Sequence, residues 1–292
     1  MLAYHRTLSN WGRWGEGDQL GSLRWITPER RVAAASLVRS GRTVGCARPL
    51  PTEPAPDNER AVVHLMMATA SEGYAADYFA VAPHGYAVSH IDALCHIFHD
   101  GRLFDGHPIE RVTARGALTL AIDALRDGVA ARGVLLDVPA LRGVDWLEPG
   151  DAIGPDELEK AEQAAGLRVE TGDVLLVRTG RWALRDAHGP WNPRERLAGL
   201  HASCLPWLFE RRVAALGSDG VSDVIPSRID GVGLPIHSVA IVAMGLHLLD
   251  NLDLEPLARA CREEGRWAFQ LVIAPLVIAR GTASPVNPIA IF

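Results

Sequence analysis

Two short apolar runs, Gly133–Val138 (GVLLDV) and Asp173–Thr179 (DVLLVRT), constrain the fold of this chain more than any other feature. Each carries a polar residue near its end. Runs of this kind suit strands buried on both faces. Between them lies Asp156–Ala165, with the capping-box-like pattern Asp156-x-x-Glu159 and a closing Gly166, which predicts a helix. Thr27-Pro28-Glu29 opens another helix, since Thr caps, Pro suits the first helical position and Glu complements the dipole. Further helices are expected over Ala202–Arg212 and Glu255–Glu264, with a buried one over Ser238–Met244. Strands are expected around Thr43–Leu50, Ala61–Thr69, Asp77–Ala82 and Val213–Ser218, with one or two over Ala268–Ile278.

Strands and helices thus interleave without a strict repeat, and no low-complexity linker divides the 292 residues. A single α/β domain with a mixed sheet is expected over residues 1–292, with residues 1–25 as an N-terminal arm. The net charge is −6, and no basic block gives the footprint of a nucleic-acid binder. Residues 1–21 have no apolar core and do not read as a signal peptide. The most apolar stretch, Trp267–Ala279, is broken by Gln270 and Pro275 and falls short of the ~20 residues a membrane span needs. Cys46, Cys95, Cys204 and Cys261 are far apart and form no C-x-x-C pair, so reduced thiols and a cytoplasmic setting are expected.

The stretch HGYAVSHIDALCHIFHDGRLFDGHP carries the chemistry. His84, His90, Asp92, His96, His99 and Asp100 crowd into it. Imidazole and carboxylate are the usual ligands of Zn²⁺ and Mn²⁺. In an extended segment, His90-x-Asp92 puts both side chains on one face. His96, four residues after Asp92, needs a turn of chain to come back to them, as a third ligand or as an acid/base. On composition alone, a metal site and an ordinary set of packed histidines both remain open.

SHIDALCH resembles the signature H-x-G-T-H-x-D-x-P-x-H of the cyclase family. The likeness continues in NWGRWGEGDQLGSLRWITPER, RGVLLDV, GDVLLVRTGRW, LPIHSVAIVAMGLHLLDNLDLEPLA and SPVNPIAIF, in family order over nearly the whole chain. This resemblance implies a swivelling β/β/α arrangement and a metal-dependent hydrolase, using Zn²⁺ or Mn²⁺ on amides or lactones of small, often aromatic, compounds. Kynurenine formamidases and isatin hydrolases belong to the family. It also implies a homo-oligomer. Carried over, His90 and Asp92 are metal ligands and His96 a proton carrier. His237 and Asp250 stand where the family completes the site, His237 as a ligand and Asp250 orienting an imidazole or binding metal. The sequence departs from the signature at Tyr86, which replaces its first His, and at Val88, Ser89 and Leu94. His84 is the candidate substitute ligand if the chain bulges, with Tyr86 contacting substrate.

Asp219, after a predicted strand end, is a further substrate-contact candidate, although an Asx-type turn explains it as well. Trp14, in the Gly-rich arm, either lines a pocket or is a packed aromatic. Hydrolysis by activated water is the expected chemistry. Ring closure or dehydration at the same site, and a metal-poor small-molecule-binding protein, are the alternatives.

Overall fold

The computed structural model describes residues 1–292, apart from the side chain of Leu2. The two apolar runs lie side by side in it. Eleven strands organise the chain: β1 (Thr43–Gly45), β2 (Val63–Ala68), β3 (Ala76–Ala80), β4 (His90–Asp92), β5 (Val129–Asp137), β6 (Val174–Arg178), β7 (Ala215–Ser218), β8 (His247–Asp250), β9 (Ala268–Ile273), β10 (Ala283–Pro285) and β11 (Ile289–Ile291). Nine of them form one sheet in the order β1-β11-β9-β5-β6-β7-β8-β4-β10. The four strands β5 to β8 run parallel to one another, and every other pairing in the sheet is antiparallel. The sheet is therefore mixed, in an α/β domain of the swivelling β/β/α type.

The parallel centre explains the apolar runs. Every residue of β6, β7 and β8 is buried, so no polar alternation survives there. Val134, Leu135, Leu136, Leu175 and Leu216 have no solvent exposure, and each such side chain is worth ~1.5–3 kcal/mol of burial. Helix Pro155–Ala164 falls between β5 and β6 as expected, but it starts two residues before the predicted cap: Gly154 is the N-cap and Glu157, not Glu159, accepts from its backbone N–H. Helices Pro28–Ala35, Leu205–Arg211 and Glu255–Glu264 also lie in their expected segments.

Several expectations are revised. Strand Thr43–Leu50 shrinks to Thr43–Gly45, because Pro49 and Pro51 donate no ladder hydrogen bond. Ser238–Met244 is not one regular helix. A short α-helix, Pro235–Val239, runs into a π-turn, Ala240–Met244, closed by Gly245 in the left-handed region. Asn10 Nδ2, Trp11 Nε1 and Ser22 Oγ donate to carbonyls of Val242 and Met244, tying the N-terminal segment to that turn. All four cysteines are buried and free. Among the described residues, no helix is long and apolar enough to cross a membrane.

The functional end of the sheet is set by register. Asp250, the last residue of β8, pairs with His90, the first of β4. The carboxyl end of the parallel strands is where open α/β sheets gather ligand-contacting groups.

Candidate metal centre

β4 is three residues long and wedged between β8 and β10, so His90 and Asp92 are both about 1% exposed. Period two puts them on one face. His90 Nε2 lies 3.4 Å from Asp92 Oδ1. The other His90 nitrogen, Nδ1, is 2.8 Å from the Val88 carbonyl, to which it donates. That bond fixes the tautomer and leaves the Nε2 lone pair facing the carboxylate.

His237 enters from Pro235–Val239. Asp223 accepts from the backbone N–H groups of Ile236 (2.6 Å) and His237 (3.1 Å), capping the helix. The same carboxylate accepts from His237 Nδ1 at 2.7 Å, so the helix start and the ring orientation share one anchor. His237 Nε2 then points at Asp250 Oδ2, 3.3 Å away, and at Asp92 Oδ2, 3.7 Å away.

His84 arrives from an irregular loop. Gly85 has φ +140°, a conformation closed to side chains with a Cβ. It reverses the chain so that His84 and Tyr86 diverge. His84 Nδ1 sits 3.1 Å from Asp92 Oδ1, while Nε2 is held 3.0 Å from Thr282 Oγ1. Tyr86 faces the pocket wall instead, with the Arg194 guanidinium 5.5 Å from its ring centre. A tight turn, with His96 N–H on the Ala93 carbonyl, brings His96 back to the site. Its ring stacks on His84 at 3.7 Å.

Two overlapping triads result, His84–His90–Asp92 and Asp92–His237–Asp250, and the ligand atoms within each lie within 4.8 Å of one another. Asp92 belongs to both. His84 Nδ1, both oxygens of Asp92 and Asp250 Oδ1 are buried without a hydrogen-bond donor or acceptor of their own. Partnerless buried carboxylates cost several kcal/mol each. A divalent cation bound by nitrogen and oxygen donors removes that cost, and this donor set suits Zn²⁺ or Mn²⁺.

The electrostatics agree. Burial disfavours charge on His237, yet Asp250 and Asp223 outweigh it and hold the imidazole pKa well above its usual value. In His90, too, the Asp92 carboxylate overcomes burial and raises the pKa. Burial opposes charge on Asp92, but the surrounding imidazoles, His96 foremost, keep it well below the carboxylate range. Metal-free protein thus neutralises its carboxylates with protons on imidazoles, and a bound cation would displace them. His96 differs. Burial, with His84, His237 and His90 nearby and only Asp92 opposing, lowers it to about 4. It is a neutral base at pH 7.

These shifts fix how stability depends on pH. His5, buried against His99, is also lowered to about 4. Between pH 6.5 and 4 the unfolded chain therefore binds protons on His5 and His96 that the folded chain refuses, so stability falls as pH falls. His90 and His237 have the opposite sign. Their contribution is full below pH 6.5 and is lost as pH rises through their raised values. Chelator-treated protein is expected to melt highest near pH 6.5. Melting curves from pH 4.5 to 9 check this, and a steady rise in Tm across that range counts against it.

A cavity of about 220 Å³ opens onto the cluster, lined by His84, Tyr86, His90, His96, His237 and Asp250, with Arg60 and Arg194 among its outer residues. Two candidates lie outside it. Trp14 packs at 5.6 Å from Trp25 and 6.5 Å from Phe104. Asp219 is fully buried and its carboxylate is consumed by Thr179, Gly180 and Arg181, so it anchors the β6 end instead of facing a substrate. Sequence reasoning noted Asp223 only as a neighbour of Asp219 and gave no role to Asn251 or Arg181. Their distance along the chain from the groups they hold leaves no local signal.

Fold and cluster together define a protein of the cyclase-fold class, whose structural neighbours include hydrolases. A structure described as a novel cyclase shares 29% identity with this chain, with TM-score 0.89 over 99% of both chains. Isatin hydrolase A from Ralstonia solanacearum shares 20% identity, with TM-score 0.57 over 85% of this chain and 91% of its own. Isatin hydrolase A from Labrenzia aggregata shares 18%, with TM-score 0.60 over 88% and 94%. These last two likenesses concern the fold. The cyclase family model, described as "Putative cyclase", matches residues 51–223, and the chain belongs to this family. No curated protein sequence matches it.

Proposed function

We propose that this protein is a metal-dependent hydrolase that opens an amide or lactone bond of a small, aromatic or cyclic, substrate. One observation carries the reading: imidazole nitrogens and partnerless carboxylate oxygens converge around Asp92 at the floor of a small cavity, with a neutral imidazole on its wall. His84, His90, Asp92, His237 and Asp250 would hold Zn²⁺ or Mn²⁺. Such an ion, when bound, brings the pKa of water from 15.7 toward ~7 and polarises a carbonyl. His96 accepts a proton from the attacking water and passes it to the leaving nitrogen or oxygen, as general base and then general acid. Asp223 and the Val88 carbonyl keep the His237 and His90 rings in the tautomers that leave Nε2 free. Tyr86, half-buried beneath Arg194, closes the cavity over the substrate's far end and excludes water.

Metal analysis of the purified protein, with turnover of a panel of N-acyl aromatic amines, cyclic imides and lactones, tests this. The expected product gains one water, and His90→Ala loses both metal and turnover. A product that loses water assigns ring closure or dehydration instead. Full metal content with unchanged turnover in His90→Ala ends the hydrolase assignment as drawn.

The molecule is also proposed to work as a homo-oligomer, in a reducing cytoplasm where its four thiols stay free. The hairpin β2–β3 supports association. Its two strands pair only with each other, and Val63, Leu65, Met66, Met67, Tyr78 and Phe79 are all 46–73% exposed. An isolated two-stranded hairpin is marginal in water. Covered completely by a partner, these six side chains would bury an area on the order of the ~800 Å² per subunit of a stable interface. A permanent apolar arm needs a permanent companion, and a second copy of the chain is always present. Leu65→Glu with Tyr78→Glu is expected to convert the oligomer to monomer in sedimentation velocity. An unchanged sedimentation coefficient rules this surface out.

A further inference from the structure

We propose that Arg181 and Asn251 are positioning residues that together clamp the loop of residues 83–88 and so aim the His84 and His90 rings. The proposal rests on the metal-centre reading above, because the rings are aimed at the point where a cation would sit. Among the described residues, 83–88 make no backbone–backbone hydrogen bond. Their shape must therefore come from elsewhere, since buried carbonyls need donors.

The donors come from two side chains. Arg181 Nη2 donates to the Tyr86 carbonyl. Asn251 Nδ2 donates to the carbonyls of Gly85 (2.8 Å) and Val88 (3.1 Å). The two side chains are joined, with Arg181 Nη1 donating to Asn251 Oδ1 at 2.6 Å. On the loop's far side, Ser89 Oγ donates to the Asn251 carbonyl at 2.7 Å. Three carbonyls of the loop, those of Gly85, Tyr86 and Val88, are thus held by one guanidinium and one amide.

Two consequences reach the ligands. The Val88 carbonyl that Asn251 orients is the acceptor that fixes the His90 tautomer. The Gly85 carbonyl lies next to His84, whose ring has only Thr282 as a second anchor. Asn251 itself follows Asp250, in the left-handed region at φ +56°, so the clamp also registers the loop against the β8 carboxylate. Arg181 is costly to keep. It is 2% exposed, its Nε has no partner, and burial draws the guanidinium down to about 10 despite Asp57 and Asp219. A planar fork serving the carbonyls of Tyr86 and Asp219 and the Asn251 amide oxygen is the use that Lys or an apolar residue cannot reproduce.

The test measures ion binding by the full-length protein. Calorimetry with Zn²⁺ alone, and the visible absorption of Co²⁺ alone, are recorded for wild type, Arg181→Met, Arg181→Lys and Asn251→Ala. Arg211→Met, which breaks the distant Arg211–Glu162 pair, is the control for general loss of stability. Arg181→Met and Asn251→Ala are expected to bind Zn²⁺ about 10- to 100-fold more weakly and to change the Co²⁺ spectrum. Arg181→Lys should fall between, and Arg211→Met should match wild type. Wild-type affinity and an unchanged spectrum in both clamp variants overturn the proposal. If wild type takes up neither ion, the metal reading fails by itself, and histidine ¹⁵N spectra of the metal-free protein, recorded at a pH high enough that the His90 ring has lost its charge, decide on the clamp. His90 should then carry its proton on Nδ1 in wild type and lose that preference in Asn251→Ala. The same tautomer in both overturns the clamp.

Discussion

Asp92→Ala is expected to leave the protein folded and strip it of metal and turnover together. Asp92 is the one residue shared by both ligand triads, with one oxygen 3.1–3.4 Å from His84 and His90 and the other 3.7 Å from His237. No hydrogen bond holds its carboxylate. Its backbone is held independently, by pairing with Ala283 in β10 and by His247 Nδ1 on its carbonyl at 2.8 Å. Removing the side chain thus deletes no fold-determining bond. In metal-free protein it does remove the anion that the neighbouring imidazoles hold ionised and that offsets charge on His90, so chelator-treated Asp92→Ala should melt below wild type.

The gap should widen when Zn²⁺ or Mn²⁺ is added. Wild type binds the ion only when folded and is stabilised by mass action, about 4 kcal/mol at a thousandfold excess over Kd. Asp92→Ala gains almost nothing. The corresponding loss in kcat/KM is at least about a thousandfold, equivalent to ~4 kcal/mol of transition-state stabilisation. Elemental analysis, melting curves with and without metal, and turnover measure the three effects. Asp92→Ala that keeps full metal content places the ion elsewhere.

The site's legibility divides along sequence distance. His90 and Asp92 were readable because period two is a property of the strand alone, and β4 obeys it. His96 was readable as a residue that needed a turn to return, and the turn at Ala93 supplies it. The parallel centre was readable from GVLLDV and DVLLVRT, since burial on both faces erases alternation. The His84 arrangement was half readable. A substitute for the missing first histidine was in the sequence, but the reversal at Gly85 depends on donors from Arg181 and Asn251, about 100 and 170 positions away. His237 and Asp250 lie beyond residues 51–223 and were named through the family resemblance; register brings in Asp250, which pairs with His90, and the helix capped by Asp223 brings in His237. Trp14 and Asp219 show the converse. Residue type suggested contact with a ligand, and tertiary packing put one against Trp25 and Phe104 and spent the other on backbone N–H groups.

His96→Ala is expected to separate proton transfer from ion binding. Positioned general bases contribute about 10²–10⁴-fold, so kcat should fall by that factor while metal content stays at the wild-type level and KM changes little. The reasoning rests on environment. His96 lines the cavity but belongs to neither triad, and burial among three other imidazoles lowers it to about 4. A nearby cation would add to that repulsion, so the ring is neutral through pH 5–8 and ready to accept a proton. The wild-type kcat profile should accordingly show no His96 titration above pH 5. The stack on His84 is the complication, since removing one ring frees the other. His96→Phe keeps a stacked ring without a basic nitrogen, and it should retain metal and lose turnover as fully as His96→Ala. If His96→Phe works at more than about a tenth of the wild-type rate, the stack matters, the base lies elsewhere, and the water is activated without an imidazole at this position.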